Sequence, residues 1–214
     1  MELIIGPRAY STWSLRGWLV MRMTRADFAV IDARYDTADH KAALEALSPS
    51  GFVPALRVGG EVIWDTLAIA EWAAETYPEA GLWPTDPMAR ALARSVSAEM
   101  HSGFSALRTL CGTGPDHPMV GLARAATPVD PALDRDLARL VTLFRQMRGR
   151  FGGDGPGLFG ARSVADAFFT PVAARVRHFQ IDLGAHGDDG TASAYLAALL
   201  DHRDFRQWEI DAGR

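Results

Sequence analysis

The hydrophobic period of this chain changes once, near residues 78–87, and that change restricts the fold more than any other feature. Before it, short apolar runs alternate with amphipathic ones. Leu3–Ile5 reads as a strand, and Ser14–Thr24 as a helix with Leu15, Leu19, Val20 and Met23 on one face. Phe28–Ala33 is a strand of period two, and His40–Leu47 a short helix ended by Ser48-Pro-Ser-Gly51. Ala55–Val58 and Glu61–Trp64 flank Gly59-Gly60, a pair suited to a tight hairpin turn. Asp65–Tyr77 is a helix with Pro78 just past its end. Beyond Pro87 the patterns are helical only: Met88–Leu110, Ala132–Arg150, Ser163–Phe179, Ala192–Leu200 and His202–Ile210. The order βαβ, α, ββα followed by helices predicts an α/β unit over 1–79, a linker over 80–87 and an all-α unit over 88–214.

Composition narrows the function classes. With 214 residues, 48% of them hydrophobic, the chain can bury a substantial core. No apolar run reaches the roughly 18–20 residues that span a bilayer, and the N-terminal apolar stretch is too short for a secretory signal, so no membrane partner is expected. Cys111 is the single cysteine, which excludes an internal disulfide and fits a cytoplasmic setting. A net charge of −4 without a basic block argues against nucleic acid, and six scattered histidines without paired spacing argue against a metal site.

Three segments carry possible chemistry. Tyr10-Ser-Thr-Trp-Ser-Leu-Arg16 follows the first strand and opens the first helix. A hydroxyl there sits where outward N–H groups and the helix dipole favour an anion such as a thiolate. Ser11 and Ser14 keep the C-x-x-C spacing of redox sites with serine at both places, so a sulfur would have to arrive on a ligand. Either serine is a candidate, with Ser11 favoured; plain capping is the alternative. Val53-Pro54 precedes a strand; a cis bond would turn the Val53 backbone toward an extended peptide ligand, and an ordinary trans proline is the alternative. Asp65-Thr66 at a helix start offers N–H groups and a hydroxyl to a carboxylate and an acid to an ammonium, as an amino-acid head group requires.

Together these segments, with Ser163-Val-Ala-Asp-Ala-Phe-Phe-Thr-Pro171, resemble the glutathione transferase superfamily, nearest the serine-type zeta class and related bacterial proteins. The resemblance covers essentially the whole chain. It implies a thioredoxin-like N-terminal domain that binds glutathione and an all-α C-terminal domain lining the second-substrate pocket. It also implies glutathione as co-substrate with no metal, an electrophilic small molecule as the other substrate, a homodimer, and a detoxifying transferase activity. Residue by residue, Ser11 matches the hydroxyl that faces the glutathione sulfur, flanked by Thr12 and Trp13. Val53 matches the residue pairing with the cysteinyl backbone, and Pro54 the family's cis-proline. Asp65 and Thr66 match the pair that takes the γ-glutamyl head, and Lys41 is a candidate for the glycyl carboxylate. Met100, His101 and Arg108 are candidates for the second-substrate pocket.

The serine assignment has physical support. A thiol of pKa near 8.5 is about 3% ionised at pH 7. One charge-assisted hydrogen bond of roughly 1.5–3 kcal/mol lowers that pKa by about one to two units, so no base is required. The departures from the family pattern are Trp13 where zeta-like proteins usually have cysteine, Phe52 where many relatives have lysine, and Asp65-Thr66 in place of Glu-Ser or Gln-Ser. Trp13 counts against the isomerase activity of zeta-like proteins, and with Phe52 it keeps a non-catalytic interaction protein in play; a second enzyme reading is glutathione-dependent cis–trans isomerisation of a diacid, with Arg8 or Arg108 holding a carboxylate. Gly155-Pro-Gly157-Leu-Phe-Gly160 spells a dinucleotide motif but follows a helix, so it reads as a loop. Ser163 and Asp166 form a capping pair for the next helix.

Overall fold

A computed structural model describes residues 1–33, 39–121 and 124–213. Four strands, β1 (Glu2–Ile5), β2 (Ala29–Asp32), β3 (Ala55–Val58) and β4 (Glu61–Trp64), form one sheet in the order β2-β1-β3-β4. β1 runs parallel to β2 and antiparallel to β3, and β3 runs antiparallel to β4. β1 is central and buried on both faces: Leu3 and Ile5 enter the main core, while Ile4 joins Ala33, Leu44 and Ala55 in a smaller cluster. That is why its four residues are almost continuously apolar. Gly59 and Gly60, at φ 57° and 94°, make the β3–β4 turn with the positive angles that favour glycine.

Helices α1 (Thr12–Thr24), α2 (His40–Leu47) and α3 (Thr66–Thr76) complete the first unit. Gly17 on α1 lies so near Pro54 that a Cβ there would come within 2.8 Å of the ring, so α1 rests directly on the Val53–Pro54 step. The Val53–Pro54 peptide is cis. The rest is helical: α4 (Pro87–Ser102), α5 (Ser105–Leu110), α6 (Pro131–Met147), α7 (Val164–His178), α8 (Thr191–Asp201) and α9 (Arg203–Ala212). α7 is the buried centre of this half and packs on α1, α4 and α8.

Two expectations change. The single helix expected over Met88–Leu110 is two, α4 and α5, because the chain turns at Gly103 and Phe104 takes a left-handed φ of 52°. A Cβ at Gly103 would meet the Glu99 carbonyl at 2.7 Å, so glycine is what the break needs. α6 ends at Met147 and passes into a wider π-type turn, Arg148–Gly152. The glycine-rich motif is a structural loop: a Cβ at Gly155 would lie 2.3 Å from the Gly160 carbonyl. Ser163 and Asp166 form a capping box at the start of α7, and Tyr195 donates to the same Asp166 at 2.8 Å.

Candidate functional site

α1 begins where β1 ends, and its N-cap is Ser11. The Ser11 Oγ accepts the Ser14 N–H at 3.4 Å and lies 2.7 Å from the Ser14 Oγ. Ser14 is fully buried and accepts the Gly6 N–H at 2.9 Å. The two hydroxyls are therefore not equivalent: Ser11 is half-buried and reaches a cavity, whereas Ser14 stands behind it in the protein.

That cavity, about 510 Å³, is lined by Tyr10, Ser11, Thr12 and Trp13 from the α1 entrance and by residues of α4, α5, the following loop and α7. Arg108 and Arg175 are its charged lining, and among the described residues no acid lines it. Arg108 Nη1 donates to the His101 and Gly103 carbonyls at 3.1 and 3.4 Å. Arg175 is buried; its Nε donates to the Cys111 carbonyl at 3.0 Å and its Nη1 has no partner. Just behind Trp13 lies Arg16, also buried, with Nε and Nη1 unpartnered and its guanidinium 4.5 Å from the Trp13 ring centre. Burial, then the charges of Arg175 and Arg108, hold the Arg16 pKa down at about 9. Burial and Arg108 bring Arg175 to about 10. Among the described residues none of these three cations lies in a salt bridge with a carboxylate. Unpaired buried charge is costly, so an anion entering here gains from all three.

A second cavity, about 330 Å³, lies on the other side of Trp13 and is lined by Trp13, Ser50, Phe52, Val53, Trp64 and Asp65. Asp65 caps α3 at φ 76°, a left-handed angle that strains a non-glycine residue by about 1–3 kcal/mol. Its Oδ1 accepts the Leu67 and Ala68 N–H groups at 2.8 and 3.4 Å, and its Oδ2 lies 3.1 Å from His101 Nε2. The other His101 nitrogen, Nδ1, is 3.4 Å from the Thr66 hydroxyl. A neutral imidazole protonated at Nε2 satisfies both contacts, donating to Asp65 and accepting from Thr66. Burial lowers the His101 pKa, with Asp65 opposing, which favours that neutral form.

Several sequence expectations are corrected by this geometry. The Leu67 and Ala68 N–H groups are occupied by Asp65 itself, so they do not form an open carboxylate cradle. Met100 is not a pocket wall: it continues the buried stripe Ala89, Ala93, Val96 of α4 and is fully enclosed. His101 lines neither cavity; it turns from α4 onto Asp65 and Thr66 and meets Trp13 edge-on at 5.0 Å. Arg8 lies 3.5 Å from Asp32 and 5.2 Å from the Trp208 ring, outside both linings. Lys41 is exposed on α2 and lines neither cavity. Cys111 is buried, and burial raises its thiol pKa to about 11. Arg108, Ser11, Thr12 and Trp13 do meet in the larger cavity, and Trp13, Val53 and Asp65 in the smaller one. Arg175 had not been anticipated, although an arginine one turn beyond Val172 on an apolar helix face was a visible irregularity.

Comparison with known proteins fits this picture. The family model described as glutathione S-transferase, N-terminal domain, matches residues 10–76. A maleylpyruvate isomerase from a Ralstonia species is 34% identical over 151 residues, covering 67% of each chain. The chain belongs to the glutathione S-transferase family. Maleylacetoacetate isomerase of Rattus norvegicus is 30% identical over 159 residues, covering 72% of this chain and 68% of that protein. A probable maleylacetoacetate isomerase of Caenorhabditis elegans is 34% identical over 103 residues, a match spanning 47% of that protein. Among solved structures, a Burkholderia glutathione transferase homologue with bound glutathione superposes with a TM-score of 0.71 at 20% identity, covering 99% of this chain and 97% of that one. A zeta-class maleyl pyruvate isomerase superposes at 0.67 with 23% identity, covering 99% and 98%. These likenesses establish the glutathione transferase fold.

Proposed function

We propose that this glutathione transferase family member binds glutathione as a thiolate at Ser11 and uses it to isomerise an unsaturated dicarboxylate. The observation that carries the reading is one cavity holding the Ser11 hydroxyl together with Arg108 and Arg175, and no acid among the described residues. The peptide would lie along Val53 with its ammonium toward Asp65, whose Oδ2 offers an acceptor, and with Thr12 and Trp13 beside the cysteinyl group; Thr66 is buried, lines neither cavity and would act only through His101. Ser14 Oγ accepts both the Gly6 N–H and the Ser11 hydroxyl, so the Ser11 proton would turn from Ser14 to the sulfur when the peptide binds. The N-terminus of α1 adds its dipole.

The arginines would hold the carboxylates of the second substrate. The thiolate adds to one carbon of the cis double bond, and the electron pair moves to the conjugated carbonyl as an enolate. Rotation about the resulting single bond and return of the electron pair expel the thiolate and leave the trans isomer. Glutathione is not consumed. The relatives named maleylpyruvate and maleylacetoacetate isomerases support this reading.

Addition without expulsion, as in a detoxifying transferase, uses the same first step; the open polar cavity and Trp13 in place of a cysteine favour that second reading. A homodimer in the cytoplasm belongs to both readings through the family resemblance. The test of Ser11 is the thiolate absorbance of the bound peptide: Ser11→Ala is expected to raise the bound thiol pKa by about one to two units. An unchanged titration removes Ser11 from the mechanism. Turnover of a maleyl diacid against an aromatic halide decides between isomerase and transferase, and absence of glutathione uptake by calorimetry at millimolar concentration ends both.

A further inference from the structure

Arg8, Ala9 and Tyr10 lead the chain into Ser11, and the carbonyl of each is held by the helical half. Trp208 Nε1–H donates to the Arg8 carbonyl at 2.9 Å, Met119 N–H to Ala9 at 2.9 Å, and the Thr113 hydroxyl to Tyr10 at 2.8 Å. The third bond bears most directly on chemistry. The Tyr10 carbonyl belongs to the peptide plane whose other end is the Ser11 nitrogen, so its direction fixes where the Ser11 Cβ and Oγ lie.

Thr113 is itself held from below. The strap 111–121 leaves α5, and Gly114 and His117 exchange both backbone hydrogen bonds at 3.1 Å. α7 grips the strap on each side of that turn: Arg175 Nε donates to the Cys111 carbonyl and Arg177 Nη2 to the Met119 carbonyl, each at 3.0 Å. A buried helix therefore supports the strap, and the strap supports the loop carrying Ser11. Thr113 also lines the Ser11 cavity.

We infer that Thr113 is a positioning residue, whose hydroxyl, acting through the Tyr10 carbonyl, holds the Ser11 hydroxyl at the place of the sulfur. The inference rests on the proposed role of Ser11. A contact between Thr113 and the second substrate is a separate possibility, and the binary complex with glutathione excludes it by leaving that substrate out.

The experiment titrates the bound thiol by its thiolate absorbance, using the full chain with glutathione alone. Thr113→Val preserves shape and removes the hydrogen bond. It is expected to raise the bound thiol pKa by about 0.5–1 unit, a loss of about 1.5- to eightfold in thiolate at neutral pH, with glutathione affinity changed less than about threefold. Thr113→Ser, which keeps the hydroxyl, is expected to restore the wild-type titration. Ser11→Ala is run beside them. If Ser11→Ala raises the pKa and Thr113→Val does not, the inference fails while the Ser11 reading stands. If neither moves it, both fail. A Thr113→Val variant that changes only the KM of the second substrate also overturns the inference. Should that variant not fold by circular dichroism, Thr113→Ala carries the same test.

Discussion

The two cavities that meet at Trp13 differ in kind. The larger gathers arginines from α5 and α7 with a third, from α1, behind the wall, and holds no acid among the described residues. The smaller holds one acid, Asp65, among apolar and aromatic side chains, two of which, Phe52 and Trp64, are substantially exposed. In the proposed reading the first receives negative charge, and the second an extended molecule with a positive end.

The sharpest way to break this contrast is Arg175→Met. Loss of its charge-assisted hydrogen bonds is expected to lower kcat/KM for a diacid by about 100-fold. Thermal stability should change little, because removal of a buried cation that lacks a carboxylate partner offsets the lost bond to the Cys111 carbonyl. A large fall in melting temperature instead would make the bond to the Cys111 carbonyl its main role.

Asp65→Asn probes the other side. Asparagine still caps a helix, so stability should change little. Loss of the charge should weaken glutathione binding by about tenfold in calorimetry, the equivalent of one partly exposed charged contact. Equal weakening of diacid binding would show that the cavities are not specialised.

The smallest expected effect is in pH. His101 and His202 both have pKa values lowered by burial, and Arg162 adds to the effect at His202. A histidine lowered in the folded state favours the neutral form, so the unfolded chain binds more protons as pH falls. Stability is fully present above the ordinary value of 6.5 and declines below it as pH drops toward the folded pKa values. Melting temperature should fall by about 2–4 °C for each kcal/mol lost, and His101→Gln should flatten part of the slope. Protonated His101 can no longer accept from Thr66, so glutathione affinity should fall in the same window.

The parts of the fold and site that could be read in the sequence have local causes. Ser11 and Asp65 are caps, and a cap is written in the residue and its next few neighbours. The hairpin at Gly59-Gly60 and the capping box at Ser163 and Asp166 are local in the same sense. What escaped depends on distance. Arg16, Arg108 and Arg175 lie on three helices and converge only when α7 packs against α1. Met100 and His101 are adjacent in sequence, yet one faces the core and the other Asp65, because a helix turns its side chains by a fixed angle at every step. The break at Gly103 was hidden because helical spacing continues through it, and the positive φ of Asp65 has no sequence mark in a residue type that caps helices so often.

Trp13 belongs to both linings, with the guanidinium carbons of Arg16 and Arg108 at 4.5 and 5.3 Å from its ring centre. An indole packed in this way cannot yield on one side without crowding the other. A ligand that shifts this ring from one chamber changes the wall of the other. Any resulting change in affinity must be the same factor whichever molecule arrives first.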